Sequence, residues 1–166
     1  MEKAVFAFEN FLADVSPAYC EFAETIHGEL LGDGYRCRIE SKANGFLVSY
    51  SHPQTKRSIL NFLFRKGRLH VRLYADCLDG YAGLLDRLPG SMERAIAKAP
   101  VCKRLLDPAQ CNSRCPMGYA FTIRGSRYQK CRYNCFLLEV TPESAPVLAA
   151  LIGEERGGRR ALKDSL

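Results

Sequence analysis

The chain has 166 residues, of which 47% are hydrophobic and 25% are charged, and its net charge is +6. This length is enough for one domain with a real core and is marginal for two. The composition is close to the globular average, and no apolar run approaches the length that a transmembrane span needs.

The N-terminal sequence MEKAVFAFENFLADV does not have the pattern of a signal peptide. Glu9 and Asp14 interrupt its apolar stretch, and no small-residue cleavage site follows. We therefore expect a cytoplasmic protein without membrane association, in a compartment where thiols stay reduced. Eight cysteines in such a compartment favour metal or thiol chemistry. Four disulfides in an exported protein are the alternative.

The first hundred residues predict helices followed by an antiparallel meander. A short helix is expected over residues 3–13, and Ser16-Pro17 is a typical start for a second helix. Four alternating segments joined by short turns then predict four strands. They are residues 35–41, 46–50, 59–64 and 69–75. Two further helices are expected, one after Asp76 and one after Ser91.

The last third predicts a cysteine-rich β-hairpin module followed by a C-terminal helix. Residues 119–123 and 136–140 have strand patterns, and Thr141-Pro142 is a helix start. Residues 157–166 lack apolar periodicity and predict a mobile tail. We expect an α+β fold with three parts. These are a core domain over residues 1–100, a cysteine-rich basic module over 101–156 that packs on it, and the tail.

The segment from residue 102 to residue 135 contains five of the eight cysteines. Four of them form two C-x3-C pairs with fifteen residues between the pairs. Structural zinc sites bring two short cysteine turns onto one tetrahedral ion, so this spacing predicts zinc. The expected ligands are Cys111, Cys115, Cys131 and Cys135, with Cys102 as an alternative ligand. An iron–sulfur cluster is less favoured because no C-x2-C-x2-C run is present.

The two cysteine pairs differ in their local sequence. The first, CNSRCPMG, is rich in turn-forming residues. The second, CRYNC, is less clearly a turn. In a straight strand Cys131 and Cys135 would lie about 13 Å apart, which is too far for one metal ion. The zinc hypothesis therefore requires a bend near Tyr133-Asn134, unless Cys102 replaces one of the two.

The same segment carries most of the positive charge. Residues 94–135 have nine basic residues and one acidic residue, a net charge of +8. These cations can offset the charge of metal-bound thiolates or contact nucleic acid. The candidate nucleic-acid contacts are Arg114, Arg124, Arg127, Lys130 and Arg132. The aromatic residues interleaved with them are Tyr119, Phe121, Tyr128, Tyr133 and Phe136. Such a mixture suits base stacking, and it equally suits a half-buried sheet with a solvated basic face.

Two cysteines have features of reactive thiols. Cys131 lies between Lys130 and Arg132, two cations that favour a thiolate, so a redox enzyme using Cys131 is one interpretation. Cys77 falls in the first turn of a predicted helix, where either a depressed pKa or burial is expected. Nucleotide-binding and hydrolase motifs are absent, and no catalytic residue is identified. The favoured function is a zinc-stabilised, non-enzymatic binding domain, with a nucleic-acid-binding regulator as the alternative.

The run CNSRCPMGYAFTIRGSRYQKCRYNCF resembles a motif of an uncharacterised family of small proteins from Gram-positive bacteria. It lies in the last third of the chain. The N-terminal half, with helices followed by a meander, resembles YdhG/YjbR-type α+β domains in its pattern of elements. The first resemblance implies a bacterial cytosolic protein, and neither implies an established activity.

Overall fold

The structure is a computed structural model that describes residues 4–165. Within these residues it has six α-helices, a five-stranded antiparallel sheet and a two-stranded sheet, which confirms the predicted α+β class. The helices are α1 (Phe8–Leu12), α2 (Pro17–Gly32), α3 (Ala82–Leu85), α4 (Gly90–Lys98), α5 (Lys103–Leu106) and α6 (Ser144–Asp164). The strands are β1 (Arg36–Lys42), β2 (Gly45–Ser51), β3 (Ser58–Arg65), β4 (Arg68–Leu73), β5 (Tyr119–Ile123), β6 (Ser126–Lys130) and β7 (Leu137–Glu139).

The chain divides into two compact units, Met1–Arg72 and Leu73–Leu166. The sequence-based boundary at residue 100 differs from this division. Helix α3 contacts β5 and helix α4 contacts β7, so the helices expected in the first domain belong to the unit that contains the cysteine segment. The large sheet has the strand order β1-β2-β3-β4-β7, and β5 pairs with β6 alone.

The first unit contains the two predicted helices followed by the predicted meander, but the first helix, predicted over residues 3–13, covers only Phe8–Leu12 of the described residues. Pro17 begins α2, as the Ser16-Pro17 pair indicated. Strands β1, β2 and β3 pair antiparallel with their nearest neighbours in sequence. Phe11 of α1 stacks on Phe62 of β3 with 5.5 Å between ring centroids, and both side chains are fully buried. The alternating apolar pattern of the strands therefore supplies the core of this unit, as expected for a half-buried sheet.

The second unit contains a hairpin and the C-terminal helix, as predicted, but the second strand of the hairpin is β6 and not the strand predicted over residues 136–140. That predicted strand is β7, which lies in the large sheet. Strands β5 and β6 are joined by Arg124-Gly125, whose φ angles of 46° and 82° are those of a two-residue hairpin turn. Near the start of α6, two hydrogen bonds join Thr141 and Ser144. The Thr141 N–H donates to the Ser144 hydroxyl at 2.9 Å, and the Ser144 N–H donates to the Thr141 hydroxyl at 3.0 Å. These contacts satisfy donors that a helix start leaves unpaired, so the predicted start at Thr141-Pro142 has a physical basis.

The helix expected after Asp76 is split in the structure. A 3-10 turn covers Leu78–Gly80, and α3 begins only at Ala82. The Asp76 carboxylate does not cap a helix, because it pairs with Arg132 and Arg159 instead. A long-range ion pair has replaced the local cap on which the sequence prediction relied.

Residues 157–164, for which the sequence predicts a mobile tail, are the last turns of α6. Arg159 Nε donates to Glu155 Oε1 at 2.8 Å, and Arg159 Nη2 donates to the Tyr74 carbonyl oxygen at 2.8 Å. Charge pairing rather than apolar periodicity holds this end of the helix. The sequence of this end therefore has no apolar periodicity that would predict a helix.

The adjacent glycines of α6 are expected to respond oppositely to alanine. No atom lies within 4 Å of a Cβ added at Gly157, so Gly157→Ala should stabilise the helix by about 0.5–1 kcal/mol. A Cβ added at Gly158 would lie 2.7 Å from Cys77 Cβ. We expect Gly158→Ala to cost about 1–2 kcal/mol through this overlap. Urea unfolding of both variants checks the pair, and equal stabilisation would contradict a packed helix end.

Candidate cysteine site

The second cysteine pair lies at the two ends of one helical turn. The Cys135 N–H donates to the Cys131 carbonyl oxygen at 2.9 Å, and the Asn134 N–H reaches the same oxygen at 3.2 Å. Residues four apart in such a turn share one face, with Cβ atoms about 5–6 Å apart. The chain therefore bends at the place where the zinc hypothesis required a bend.

The two thiols of this turn differ in environment. Cys131 is half-buried, whereas Cys135 is only 1% exposed. Burial raises the pKa of the Cys135 thiol well above its usual range; the Lys130 ammonium group works against this rise, and the nearby Cys131 thiol adds to it. Cys135 is therefore a protonated thiol at neutral pH unless a cation binds to it.

Lys130 is a buried cation fixed beside this turn. Its side chain is enclosed, and Nζ donates to the carbonyl oxygens of Ala97 and Ala99 at 2.8 Å each. These carbonyls lie at the C-terminal end of α4, where a helix favours positive charge. The ammonium group thus has a structural role and also acts on the Cys135 thiol.

Cys102 adjoins the second pair through the backbone. The Cys131 N–H donates to the Pro100 carbonyl oxygen at 2.8 Å, and the Cys102 N–H donates to the Gln129 carbonyl oxygen at 3.0 Å. The buried Cys102 thiol accepts the Gly118 N–H at 3.2 Å. Main-chain donors that hydrogen-bond to ligand atoms are typical of the surroundings of a metal site.

The first cysteine pair spans a turn organised by Arg104. The Cys115 N–H donates to the Asn112 carbonyl oxygen at 3.0 Å. Arg104 Nη1 donates to the carbonyl oxygens of Asn112, Ser113 and Cys115. Cys115 is half-buried, whereas Cys111 is exposed and has a φ of 64°. The predicted turn is present, but its two thiols have different surroundings.

The five cysteines of the segment are not gathered into one group. Among residues 4–165, no cluster of three or more His, Cys, Asp or Glu side chains has a spacing that could hold a metal ion. The structure brings Cys131 and Cys135 onto one turn and places the Cys102 backbone beside it. It does not place Cys111 or Cys115 in a group with them.

Three of the five candidate nucleic-acid contacts are engaged inside the protein. They are Arg124, Lys130 and Arg132, and their partners are main-chain carbonyls and carboxylates. Arg114 and Arg127 are exposed. Three of the five interleaved aromatic residues are buried in the core, namely Tyr119, Phe121 and Phe136. A nucleic-acid-binding regulator would therefore depend on Arg114, Arg127 and other surface cations.

A buried carboxylate, which the sequence prediction missed, lies on α6. Glu155 is fully buried, and it accepts the N–H groups of Asp76 at 2.8 Å and Cys77 at 3.1 Å. It also accepts the Tyr81 hydroxyl at 2.9 Å and Arg159 Nε at 2.8 Å. Apart from Arg159, these partners lie more than seventy positions away in the sequence, so no local pattern could reveal them.

Cys77 belongs to the same neighbourhood; it is half-buried, and its pKa is raised rather than depressed. Burial first, and the charge of Glu155 second, raise the pKa of the Cys77 thiol to about 11, against a smaller opposing effect of Arg159. A thiol with such a pKa is protonated at neutral pH. Cys77 is therefore a poor candidate for a reactive cysteine.

The first unit contains a groove of about 580 Å³ lined by residues of the N-terminal segment, by His27 and by Cys37. His27 Nδ1 is 2.8 Å from the Tyr50 hydroxyl, and the ring of Phe8 stacks on the His27 ring at 3.8 Å between centroids. Burial raises the pKa of the Cys37 thiol, although a hydrogen bond with Tyr50 opposes this rise. These groups satisfy one another and do not form an activated nucleophile.

No protein-family model, curated protein or solved structure matches this chain. In the part of the chain that the structure describes, none of the helices is both long and apolar enough to cross a membrane. The resemblance of the cysteine motif to a Gram-positive family stays a prediction.

Proposed function

We propose that the protein is a non-enzymatic binding domain of the bacterial cytoplasm whose cysteine segment holds a structural zinc ion. The observation that carries this proposal is the helical turn from Cys131 to Cys135. Zinc–sulfur bonds of about 2.3 Å in a tetrahedron require sulfur atoms about 3.8 Å apart. Two side chains that leave the same face of one turn can converge to that separation.

The same turn disfavours a redox-active pair. A disulfide requires Cβ atoms about 3.5–4.5 Å apart, which is shorter than the separation of about 5–6 Å across a helical turn. Oxidation of Cys131 and Cys135 would therefore unwind the turn. It would also break the hydrogen bond from the Cys135 N–H to the Cys131 carbonyl. Zinc binding requires no such rearrangement.

The other two ligands in this proposal are Cys102 and Cys115, which metal binding would have to bring to the helical turn, since the described residues do not gather three ligands there. The Cys102 thiol already accepts a main-chain N–H, from Gly118. Arg132 connects Cys115 to the turn electrostatically: burial opposes its charge, but the hydrogen bond with Asp76 and smaller contributions, including one from Cys115, raise its pKa. Cys111, whose thiol is exposed, is the alternative fourth ligand.

A site of four cysteines has no open coordination position, so its role is structural rather than catalytic. Two cations support it. Lys130 acts on Cys135 and Arg132 on Cys115, and both offset the negative charge that four thiolates leave on a zinc complex. A metal held in this way would join the two cysteine turns, whose own sequences contain few apolar residues. The protein's activity is then binding to a partner through a surface that this metal stabilises.

Measurement of the zinc content tests the proposal. Protein purified under reducing conditions should contain about one zinc ion per chain. Cys131→Ser and Cys135→Ser should abolish zinc retention, whereas Cys20→Ser and Cys37→Ser, which lie in the other unit, should not. Zinc retention by Cys102→Ser and by Cys111→Ser shows which of these two cysteines is a ligand.

Native thiol counting provides the opposing outcome. If zinc does not bind on reconstitution, and if all five cysteines of the segment react freely with a thiol reagent in the folded protein, the zinc proposal is wrong. A reactive-thiol function would then replace it.

A further inference from the structure

Strand β1 is the first strand of the large sheet and has an open edge. Its register with β2 is continuous from Arg36 to Lys42, and among the described residues no strand pairs with its other side. It contains neither a proline nor a bulge, two features that commonly prevent an edge strand from accepting a partner. The main chain of this edge can therefore pair with a further strand.

The geometry of the hairpin identifies the residues that supply the main-chain groups of this edge. A two-residue turn joins β1 to β2, so Lys42 and Gly45 are a hydrogen-bonded pair. Hydrogen-bonded and non-hydrogen-bonded pairs alternate along antiparallel strands. Cys37, Ile39 and Ser41 therefore belong to non-hydrogen-bonded pairs, and they direct their N–H and C=O groups toward the open edge.

The groove of the first unit adjoins the same edge. Its lining includes Cys37, Arg38 and Ile39 of β1 together with Phe6 and Phe8 of the N-terminal segment. Cys37 and Ile39 are half-buried. A further strand at this edge would place alternate side chains beside them, and the apolar lining favours apolar side chains there.

The opposite face of β1 is positively charged. Arg36, Arg38 and Lys42 share this face with one carboxylate, that of Glu40, so three cations and one anion give it a charge of +2. Arg38 and Lys42 are 61% and 52% exposed, and both pair with Glu40. Opposite charges on neighbouring strands stabilise their pairing, whereas like charges destabilise it. This face therefore favours a partner strand with acidic side chains.

The same charges disfavour a second copy of this chain as the partner. Antiparallel pairing of two β1 strands centred on Ile39 would place Arg38 opposite Glu40. It would also place Arg36 opposite Lys42, which are like charges. A pairing centred on Arg38 or on Glu40 would place that residue opposite its own copy. Every such register puts like charges directly opposite each other.

We infer that the open edge of β1 binds an extended segment of a partner protein in which acidic and apolar side chains alternate. The main chain of the segment pairs with Cys37, Ile39 and Ser41 as an added strand. Its acidic side chains lie beside the cations of β1, and its apolar side chains enter the groove. The binding edge lies in the first unit and does not depend on the proposed zinc site.

Fluorescence anisotropy with a labelled peptide of sequence EVEVEVE tests the charge of the partner on the full chain. This peptide should bind saturably, whereas KVKVKVK, which has the same apolar residues and the opposite charge, should not. Arg36→Glu reduces the charge of the β1 face from +2 to 0 and should weaken EVEVEVE binding about fivefold, since cross-strand charge pairs contribute modestly. Arg65→Glu reverses an exposed cation of β3 and should change binding little.

Two variants of Ser41 test the pairing of the main chain. Ser41→Pro removes one donor of the open edge and keeps the hydrogen bonds between β1 and β2, whereas Ser41→Val keeps the donor. We expect Ser41→Pro to weaken EVEVEVE binding about tenfold, the equivalent of one lost hydrogen bond, and Ser41→Val to change it little. Thermal unfolding of both variants checks that they are folded.

Hydrogen exchange of individual amides in the wild type provides a measurement that needs no variant. The N–H groups of Cys37, Ile39 and Ser41 should exchange fast in the protein alone, whereas those of Arg38 and Glu40, which bond to β2, should exchange slowly. The EVEVEVE peptide should slow the exchange of the first three.

The inference has several contradicting outcomes. No saturable binding of EVEVEVE, equal binding of the two peptides, or equal affinity of Ser41→Pro and Ser41→Val would each overturn it. Unchanged exchange of the three edge amides in the peptide complex would do the same. A dimer of the protein alone that Ser41→Pro dissociates would also overturn it, because a second copy would then occupy the edge. None of these outcomes changes the expected zinc content, so the two proposals stand or fall separately.

Discussion

Replacing Gly118 by alanine is expected to lower the free energy of unfolding by about 3 kcal/mol or more, the upper range for overpacking a rigid site. The new Cβ would overlap the Lys130 carbonyl oxygen and lie 2.8 Å from Cys102 Cβ and 3.0 Å from Cys102 Sγ. Neither neighbour can easily withdraw. The carbonyl belongs to Lys130 of β6. Lys130 pairs with Tyr119 of β5 and also forms an isolated β-bridge with Val101.

A matched control for this substitution is Gly153→Ala in α6. No atom lies within 4 Å of a Cβ at Gly153, so this change should raise stability by about 0.5–1 kcal/mol. Thermal unfolding is the measurement. Gly118→Ala should lower Tm by roughly 10 °C, given about 2–4 °C per kcal/mol for a chain of this length. It should also reduce zinc retention, because it displaces Cys102. A small shift of Tm with full zinc retention would contradict the close approach of Gly118 to Cys102.

Most of the sheet elements could be predicted because their determinants are local. Alternating apolar residues with short turns specify the meander. As expected for a meander, β1 pairs with β2 and β2 pairs with β3. Strand β6 is not among the predicted strands, because it lacks a clear apolar alternation and its pairing with β5 depends on the two-residue turn Arg124-Gly125. Where an apolar alternation sets the buried face, sequence is sufficient.

The C-terminal helix could be predicted only at its start. Its first half has apolar spacing, whereas its second half contains two glycines and charged residues that normally indicate a mobile end. The structure holds that half with Arg159, whose partners Asp76 and Tyr74 come from a distant segment. Pairings between such distant segments cannot be predicted from local sequence patterns. The same holds for the burial of Glu155, whose partners Asp76, Cys77 and Tyr81 are equally distant in the sequence.

The cysteine segment could be predicted only in part from the sequence. Its spacing identifies two pairs, and the need for a bend at Cys131–Cys135 follows from strand geometry alone. The place of Cys102 does not follow from spacing, because it depends on Gly118 and on the bridge between Val101 and Lys130. Which cysteines lie near one another therefore depends on the backbone around them.

Lys130→Met is expected to give the second large effect, with a loss of about 2–3 kcal/mol of stability. The ammonium group donates two hydrogen bonds to carbonyls at the end of α4, and hydrogen bonds of charged groups contribute about 1.5–3 kcal/mol. Methionine keeps the apolar stem but leaves the carbonyls of Ala97 and Ala99 without this donor. Lys98→Met removes an exposed cation of the same helix and should change stability little.

The same substitution tests whether Lys130 also prepares the thiols for metal. Its charge opposes the rise in pKa that burial imposes on Cys135, so its removal should raise that pKa further. Zinc competes with protons for a thiol, and the pH at which half of the protein is loaded should therefore move upward in Lys130→Met. A zinc titration over a series of pH values measures this midpoint. If the midpoint is unchanged while stability falls, Lys130 acts only as the cap of α4, and the charge that balances the thiolates must come from Arg132.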